Sequence, residues 1–327
     1  MNTANNTTAS AHAATENLEF CPELLNGVEA RLIVPGWDGS AVLAGPIPND
    51  VVVGIHDGCF HADEILSLAL LRLGQPDLRW VRTRDPEVLA STLRVDVGEG
   101  LLDHHGSRYE AGIAACSRVY ALLIQSGAIP SWAHRVLTPI VATTAAWDDG
   151  DDSSPHPLGY VHALQAAATA TGGDNDADFS MALEMVETHL RAVMAAAAAA
   201  ASATAIAMAE IEKQTDVVVP CFSAETRAAD IRQLLFDAGH PAMFYVSPES
   251  AADWRVLCTS QRAQYSRFRS AALLPERFRG LRGAALAEAA GLPAGAAIFC
   301  HIKGFIAGFT TREAALKFAN LCAEEVK

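Results

Sequence analysis

The chain alternates, within one continuous stretch, between short apolar runs typical of buried strands and a segment whose apolar residues recur at helical spacing. The runs 51–55 and 78–83 are β-rich, and residues 63–73 between them carry the helical pattern. A third strand-like run at 94–97 precedes a last apolar run at 101–105. Strands separated by helices pair in parallel, because each helix carries the chain back across the sheet. The pattern therefore predicts an α/β fold with a doubly wound parallel sheet.

Changes of pattern along the chain predict its domain organisation. Residues 1–45 form an N-terminal extension whose start is expected to be disordered. Residues 46–176 form the parallel-sheet domain, residues 177–214 a long connecting helix, and residues 215–327 a smaller α/β (α+β) domain. In the last domain we expect strands at 216–220, 242–246, 255–259 and 297–301, and helices at 227–238 and 311–325.

One run within the connecting helix resembles a membrane span in length. Residues 192–209 are uncharged, but most of them are alanine, which contributes little transfer free energy compared with leucine or isoleucine. Alanine is also the best helix former, and charged residues flank the run on both sides. We therefore expect a water-exposed helix and no membrane insertion.

Charge and cysteine usage narrow the class of protein. The 327 residues carry a formal net charge of −14, which excludes a protein that coats nucleic acid by bulk positive charge. The seven cysteines are scattered and never spaced as Cys-x-x-Cys, so neither a disulfide framework nor a structural zinc site is indicated. The chain shows no secretory or transit signal at its start, and a reducing, cytoplasmic location is expected.

Histidine and aspartate side chains follow the predicted strands, at the edge where a parallel sheet collects its ligands. The set comprises His56, Asp57, His61, Asp63, Asp96, Asp103, His104 and His105. Imidazole and carboxylate groups together bind Mn, Fe or Zn, and an aspartate can bridge two metal ions. The grouping predicts one shared metal site. An acidic run at 148–152 either completes its ligand shell or is a solvated loop.

Several of these residues lie in longer motifs. The motifs are HDGCFHADE at 56–64, RTRDPEVL at 82–89, VDVG at 95–98, DHH at 103–105, RGLRGAALAEAAGLP at 279–293 and HIKGFIAGFTTREAALKFA at 301–319. Together they resemble the DHH phosphoesterase superfamily and, within it, the melanocyte-proliferating-gene-type exonucleases. The resemblance extends from about residue 50 to the C-terminus.

The resemblance implies a two-metal, usually Mn²⁺-dependent phosphoesterase; Mg²⁺, Co²⁺ and Zn²⁺ are the alternative ions. Asp96 would be the bridging carboxylate, and His105 would face the substrate phosphate, so these two residues form the expected catalytic pair. The implied metal ligands are His56, His61, Asp63, Asp96, His104 and Asp148. The exonuclease branch typically carries Asp-Ala-x-Asp-Asn-Gly, where this chain has Ala-Ala-Trp-Asp-Asp-Gly at 145–150.

The C-terminal domain is expected to bind the substrate backbone. Residues 253–313 carry nine basic side chains against four acidic ones, opposite in sign to the whole chain. Tyr265 and Phe268 lie among these arginines, a mixture that single-stranded nucleic acid uses for stacking and phosphate contact. The predicted substrate-binding residues are Asp57, His105, His301, Gly304 and Arg312.

Three functions remain open at this point. The first is a metal-dependent phosphodiesterase acting as an exonuclease on RNA or short single-stranded oligonucleotides, through metal-activated hydroxide. The second is hydrolysis of a small phosphorylated molecule or dinucleotide. The third, suggested by Ala145, is a metal-containing nucleic-acid-binding protein with weak or no catalysis. A nicotinamide-dependent enzyme is excluded, because no Gly-x-Gly-x-x-Gly follows the first strand. Homo-oligomers are compatible with each function.

Overall fold

The computed structural model describes residues 50–106, 109–171, 176–259 and 272–326. The predicted N-terminal extension lies outside these residues. So do five members of the predicted basic and aromatic segment, Arg262, Tyr265, Arg267, Phe268 and Arg269. The chain divides into two compact units, with the division between Ala197 and Ala198. The domain bounds given above stay a prediction.

A parallel sheet is the framework of the first unit. Strand β1 (Val52–Ile55) lies between β2 (Arg79–Arg82) and β3 (Leu93–Arg94), and it pairs with both in parallel. The crossovers contain helix α1 (Ala62–Gly74) and the short helix α2 (Pro86–Leu89). The predicted α/β fold with a parallel sheet is confirmed.

The chain leaves the third strand earlier than the apolar run 94–97 predicts. After β3, Val95 forms one further parallel bridge with Leu102. The next residue, Asp96, has φ of 58°, and its backbone N–H donates to the carbonyl of Leu102 at 3.2 Å. This turn brings the segment before the DHH motif alongside the sheet and leaves Asp96 at the sheet edge.

Helix α1 is the central helix of the first unit. Among the described residues before the long helix, the other helices are α3 (Ala115–Gln125), α4 (Ser131–Asp148) and α5 (Gly159–Ala170). Residues Ala62 to Leu71 of α1 are all buried, which requires an apolar surface around the whole helix. Two acidic residues, Asp63 and Glu64, break this rule in its first turn. Both are buried at 1% exposure or less, so the start of α1 is an acidic point within an apolar core.

Helix α6 (Asp176–Glu212) contributes to two separate cores. Its N-terminal half supplies Phe179, Val186 and Leu190 to the core of the first unit. Its last turns supply Ala207 and Ile211 to a small core of the second unit. Within the described residues it is the one helix long and apolar enough to cross a membrane, with a window of mean hydropathy 1.8 that is 11% buried. Length and composition alone are weak evidence for a membrane span, and the alanine content favours the water-exposed helix expected above.

The second unit is built on an antiparallel sheet. Its strands are β4 (Phe244–Ser250), β5 (Asp253–Cys258), β6 (Ala297–Cys300) and β7 (Ile306–Phe309), in the order β4-β5-β7-β6. Its helices are α7 (Ile231–Asp237), α8 (Gly283–Ala289) and α9 (Arg312–Val326). Helix α9 packs against β4, β5 and β7 through a row of apolar residues that includes Phe318.

The predicted strand at 216–220 is wrong. Helix α6 ends at Glu212 and is followed by turns, and the only pairing described in this region is a bridge between Cys221 and Val246. Pro220 has no backbone N–H, so it cannot continue a ladder. It only accepts, from the N–H of Val246 at 2.9 Å.

Strand β7 is not among the predicted strands, because Gly308 interrupts its short apolar pattern. The structure gives this glycine a packing role. A Cβ at residue 308 would lie 2.6 Å from the guanidinium of Arg255 and 2.9 Å from the ring of Phe299. The absent side chain therefore lets these two side chains from the neighbouring strands cross β7.

We expect the replacement of Glu187 by glutamine to destabilise the first unit. Glu187 is 6% exposed on α6 and accepts from Arg72 of α1 at 2.5 Å and from Arg191 at 2.8 Å. An amide cannot satisfy both cations, so the free energy of unfolding should fall by about 2 kcal/mol. Urea unfolding followed by circular dichroism measures the change. Glu184→Gln, an exposed site on the same helix, is the control and should change it by less than ~0.5 kcal/mol; equal effects would contradict a specific role for Glu187.

Candidate metal centre

The start of helix α1 and the edge of the sheet bring two histidines and two carboxylates together. His56 follows β1 directly, and its Nε2 lies 3.3 Å from Oδ2 of Asp96 and 3.4 Å from Oε1 of Glu64. His61 is the N-cap of α1, and its backbone N–H donates to Oε1 of Glu64 at 2.7 Å. One ligand atom from each of these four residues lies within 4.8 Å of the others. The group offers two imidazoles and two carboxylates to one ion.

A second group of side chains also contacts Asp96, through its other carboxylate oxygen. Nδ1 of His104 lies 3.1 Å from Oδ1 of Asp96 and 3.9 Å from Oδ2 of Asp63, and its Nε2 lies 3.0 Å from Oδ2 of Asp148. Asp148 is the last residue of α4, so the end of this helix completes the group. Asp96 contacts both groups, through Oδ2 to His56 and through Oδ1 to His104. Asp63, His104 and Asp148 form a second set of ligand atoms within 4.8 Å.

His105 lies at the mouth of the cluster. Its backbone N–H and Nδ1 contact Oδ1 of Asp103 at 3.0 and 2.9 Å, while Oδ2 of Asp103 accepts from the backbone of Glu99 at 2.7 Å. Asp103 thereby orients the ring of His105, whose side chain is 60% exposed. Nδ1 of His105 is also 3.3 Å from Asp96. The ring of His105 therefore stands between the buried carboxylates and solvent.

Asp96 adopts a backbone conformation that non-glycine residues seldom adopt. Its φ of 58° lies in the left-handed region, at a cost of roughly 1–2 kcal/mol for a residue with a Cβ. Aspartate tolerates this region better than most residues do. The strain turns the carboxylate of Asp96 to where three imidazoles, from His56, His104 and His105, converge on it.

The protein satisfies the buried carboxylates only in part. Among the described residues, neither oxygen of Asp63 nor of Asp96 has a hydrogen-bond partner, and Oε2 of Glu64 has none. The imidazole nitrogens near Asp96 approach it closely without hydrogen-bond geometry. A buried carboxylate without compensation costs several kcal/mol. The unmet charge and the donor set of imidazole and carboxylate groups fit a divalent cation such as Mn²⁺, Fe²⁺ or Zn²⁺.

The crowding of acidic side chains shifts the pKa values of the residues in the cluster. Burial raises the pKa of Asp63 and of Glu64 well above the ordinary range, and the neighbouring carboxylates raise both further. For Asp96, burial acts in the same direction, but the contacts with His104, His105 and His56 outweigh it and hold its pKa well below the ordinary range. The contact with Asp96 raises the pKa of His105 to about 9.

One backbone contact sets the tautomer of a neutral His104 ring. The N–H of Ala115, at the start of α3, donates to Nδ1 of His104 at 3.1 Å. Burial lowers the pKa of His104, but contacts with Asp148 and Asp96 raise it to about 10 overall. Because Nδ1 accepts this N–H, the proton of a neutral ring lies on Nε2, which faces Oδ2 of Asp148 at 3.0 Å. Metal ligation requires a deprotonated ring nitrogen, so an ion at this site would compete with the protons that Asp148 and Asp96 favour.

The cluster opens into a cleft of about 300 Å³. The residues lining the cleft include His56, His61, Asp96, Glu99 and His105. Arg84 also lines the cleft, where it is a cation among histidines and acids. The buried ligands are therefore accessible from one side, through a space large enough for a phosphate and its neighbouring groups.

The structure places the predicted ligands His56, His61, Asp63, Asp96, His104 and Asp148 together, with His105 beside them. Their roles as ligands stay a prediction. Asp57 lies outside the cluster, with an exposed side chain paired to Arg84. Asp149 turns away from the site and accepts from the hydroxyl of Tyr109 at 2.6 Å and from the N–H of Gly112 at 3.0 Å. Asp151 caps a turn at Ser153.

Three predicted substrate-binding residues lie in the second unit. His301 and Gly304 belong to the turn between β6 and β7, where the ring of His301 stacks on Phe305 with centroids 4.4 Å apart. Gly304 has φ of 68°, and a Cβ there would lie 2.6 Å from Nε of Arg279, so local packing already explains this glycine. Nε of Arg312, at the start of α9, donates to Sγ of Cys221 at 3.2 Å. Their part in substrate binding stays a prediction.

Several arginines of the predicted basic segment have structural partners. Arg255 pairs with Asp253 at 2.5 Å and stacks over Phe299, and Arg277 pairs with Glu325 at 2.8 Å. Nε of Arg279 donates to the carbonyl of Leu274 at 2.8 Å. The excess of basic residues in this segment is therefore only partly available to a polyanion.

A family model described as MYG1_exonuc, an uncharacterised protein family, matches residues 52–115 and 145–322. The chain belongs to this family. The matched ranges include all six predicted metal ligands and the C-terminal motifs, and the resemblance stated from those motifs is confirmed.

Curated relatives agree with this assignment. The protein of Bos taurus named MYG1 exonuclease is 29% identical over 323 residues, covering 82% of this chain and 83% of its own length. The human MYG1 exonuclease is 26% identical over 321 residues, with coverage of 82% and 84%. The MYG1 protein of Chlamydia muridarum is 28% identical over 289 residues, with coverage of 84% and 96%.

Similarity to solved structures is much weaker. A structure of RecJ from Thermus thermophilus in complex with Mn²⁺ is 14% identical, and the match covers 98% of this chain and 58% of that one. Its TM-score of 0.26 is too low to establish a shared fold.

Glu64 is the member of the cluster that sequence reasoning missed. As the third residue of a helix it reads as part of a capping box, and it does accept from the N–H of the N-cap residue His61. The available signal was its position in HDGCFHADE, one residue after Asp63. Its complete burial beside His56 shows that it also belongs to the acidic cluster.

We expect Asp63→Asn to abolish stabilisation by metal. In the wild type, Mn²⁺ at a hundredfold excess over its Kd should raise the unfolding temperature by roughly 5 °C or more, because the ion binds only the folded cluster. The amide of the variant cannot neutralise a cation, so the shift should disappear. Thermal unfolding with Mn²⁺ and with EDTA measures both.

Asp77→Asn, at an exposed aspartate outside the cluster, is the charge-matched control and should keep the full shift. Equal shifts in wild type and Asp63→Asn would contradict a metal site at this cluster.

Proposed function

We propose that the chain is a metal-dependent exonuclease that hydrolyses phosphodiester bonds of single-stranded RNA or short oligonucleotides. The observation that supports it best is the group of buried carboxylates of Asp63, Glu64 and Asp96, whose oxygens mostly lack hydrogen-bond partners, next to histidines that line a cleft. Membership of a family whose curated relatives are named exonucleases supports the reaction class. Mn²⁺, held as a pair of ions, is the proposed cofactor.

The residues divide into those that would hold the ions and those that would meet the substrate. His56, His61 and Glu64 would hold one ion, His104 and Asp148 would hold the other with Asp63, and Asp96 would contact both. When bound, the ions lower the pKa of a coordinated water and neutralise charge on the phosphoryl oxygens. Because this chemistry uses water, the proposed reaction requires no serine or cysteine nucleophile.

His105 is proposed to meet the substrate phosphate. Asp103 fixes Nδ1 as the atom that points inward, so Nε2 is directed away from the carboxylates. A protonated ring there donates a hydrogen bond to a non-bridging phosphate oxygen and offsets part of its charge. The contact with Asp96, which favours the protonated form, prepares the ring for this role.

The size of the cleft bears on the choice of substrate. About 300 Å³ is at the small end of the range for ligand sites and accommodates one terminal nucleotide. An opening of this size favours action at a chain end. It also suits a dinucleotide, which makes hydrolysis of small phosphorylated molecules the second candidate.

The decisive experiment follows degradation of end-labelled single-stranded RNA and DNA oligonucleotides with Mn²⁺, Mg²⁺, Co²⁺ or Zn²⁺. We expect a metal-dependent release of mononucleotides that EDTA stops. Asp96→Asn should lower kcat by roughly a hundredfold or more, because it removes the shared carboxylate. Asp152→Asn, in the exposed loop after α4, is the matched control and should leave the rate unchanged.

The alternatives give different outcomes in the same assay. Faster turnover of a dinucleotide than of longer oligomers would favour the small-molecule hydrolase. Tight oligonucleotide binding without turnover under any metal would favour the binding protein, for which Ala145, buried at 1% exposure where the family carries a carboxylate, is the supporting feature. Degradation that persists in EDTA would contradict a metal-dependent enzyme.

A further inference from the structure

We infer that Arg84 is a substrate-binding residue that contacts the phosphate next to the scissile one. The inference deepens the proposed exonuclease function and depends on it for the identity of the anion. Arg84 has no role among the predicted site residues, although it stands in the RTRDPEVL motif. Its position at the sheet edge, the backbone contacts of its neighbours and its exposed pairing with Asp57 support this role.

The backbone holds Arg84 at the edge of the sheet where the metal ligands converge. The N–H of Thr83 donates to the carbonyl of Ile55 at 2.7 Å, which extends the pairing of β1 and β2 by one residue. Asp85 then caps helix α2 by accepting from the N–H of Glu87 at 2.8 Å. Arg84 stands between these two anchors, level with the residues that follow β1.

Arg84 differs from the neighbouring arginine in its freedom to reach a ligand. The side chain of Arg82 is 3% exposed, donates to the carbonyl of Gly58, and packs over the ring of Phe179. The side chain of Arg84 is 65% exposed. Arg82 therefore holds the loop after β1, whereas Arg84 lines the cleft with a solvent-exposed side chain.

The charge of Arg84 fits what the cleft lacks. Its other lining residues include two acids near the mouth, Glu99 and Asp103, besides the histidines. Among the lining residues that the structure describes, Arg84 is the only one with a permanent positive charge. A nucleic acid brings several phosphates to a strongly acidic site, and the metals can neutralise only the one that reacts. A guanidinium at the mouth offsets the next phosphate with bidentate geometry.

The present partner of Arg84 is easily exchanged. Nε of Arg84 lies 3.2 Å from Oδ1 of Asp57, whose side chain is 55% exposed, and Nη2 donates a long hydrogen bond of 3.4 Å to the carbonyl of the same residue. An exposed ion pair of this kind contributes about 0–1 kcal/mol. A substrate phosphate can replace Asp57 at little cost. Asp57 is then the resting partner of Arg84, and its carboxylate would not itself contact the phosphate, contrary to the substrate-binding role predicted for it.

The first test separates binding from chemistry. Because the contact exists equally before and during the reaction, Arg84→Ala should raise KM for a single-stranded oligonucleotide about tenfold and leave kcat within about twofold. Arg84→Lys should fall between the two, since it keeps the charge without the planar fork. Arg79→Ala, an exposed arginine at the opposite end of β2, is the matched control and should change neither constant.

Asp57→Asn gives an effect of the opposite sign. It releases Arg84 from its resting ion pair, so KM should fall or stay level. A rise in KM for Asp57→Asn equal to that for Arg84→Ala would overturn the assignment of the two roles. So would a loss of kcat in Arg84→Ala at unchanged KM.

A second test identifies the phosphate. The oligonucleotide is made with an uncharged methylphosphonate at the linkage next to the scissile bond, and its binding is measured by fluorescence anisotropy with Ca²⁺ in place of Mn²⁺. The wild type should bind it about tenfold more weakly than the native oligonucleotide, and Arg84→Ala should bind the two equally. Equal losses in both proteins would overturn the contact.

The failure of this inference is distinguishable from failure of the proposed function. If the wild type degrades no oligonucleotide, the exonuclease proposal fails whatever Arg84 does. If the wild type degrades oligonucleotides and Arg84→Ala matches it in KM and in methylphosphonate discrimination, only the role of Arg84 fails. Mn²⁺-induced stabilisation, measured by thermal unfolding, should be equal in wild type and Arg84→Ala and shows that the cluster is intact.

Discussion

The first unit is organised around a group of buried carboxylates that its own side chains satisfy only in part. Asp63 and Glu64 lie in the first turn of a helix whose other buried residues are almost all apolar, and Asp96 faces them from the sheet edge. A fold normally avoids such a grouping, because each buried carboxylate loses its hydration and repels the next. Here the helix, the sheet and the end of α4 all converge on it. Cation binding is the interaction that reconciles this convergence with a stable fold.

The imidazole rings around the cluster are oriented by different contacts. His104 is constrained by the backbone of Ala115, His105 by the carboxylate of Asp103, and His61 by its place as the cap of α1. Each ring is thus oriented by a different element. Outer contacts of this kind set the tautomer and aim of a metal-binding ring, and they matter nearly as much as the ligands themselves. The site is accordingly distributed over three helices and the sheet.

The sequence predicts that these residues lie close together, because most of them directly follow strands or begin a helix. His56 follows a strand and His61 begins the next helix, so a parallel sheet brings both to one edge whatever the later packing. Asp148 is harder to predict, since its approach depends on the length and direction of α4. Glu64 was missed because a helix cap explains it adequately from the sequence. Arg84 was missed because one motif contains a structural and an exposed arginine, and only burial tells them apart.

Several features of the second unit could not be predicted from the sequence pattern. Strand β7 was not predicted because Gly308 interrupts its apolar pattern. The glycine is needed there because side chains from the two neighbouring strands pack over it, which the sequence of β7 alone does not show. The predicted strand at 216–220 does not form, although its valines are β-formers, and a single bridge at Cys221 follows Pro220. The count of basic residues also overstated the charge available to a ligand, since arginines such as Arg277 are paired with nearby acids.

The left-handed backbone at Asp96 sets the stability of the fold against its capacity to hold a cation. Glycine occupies that conformation without strain, so Asp96→Gly would remove the backbone cost and the carboxylate together. A carboxylate at this position is therefore present at the expense of backbone stability, in a chain that already has Ala145 rather than an acid on α4.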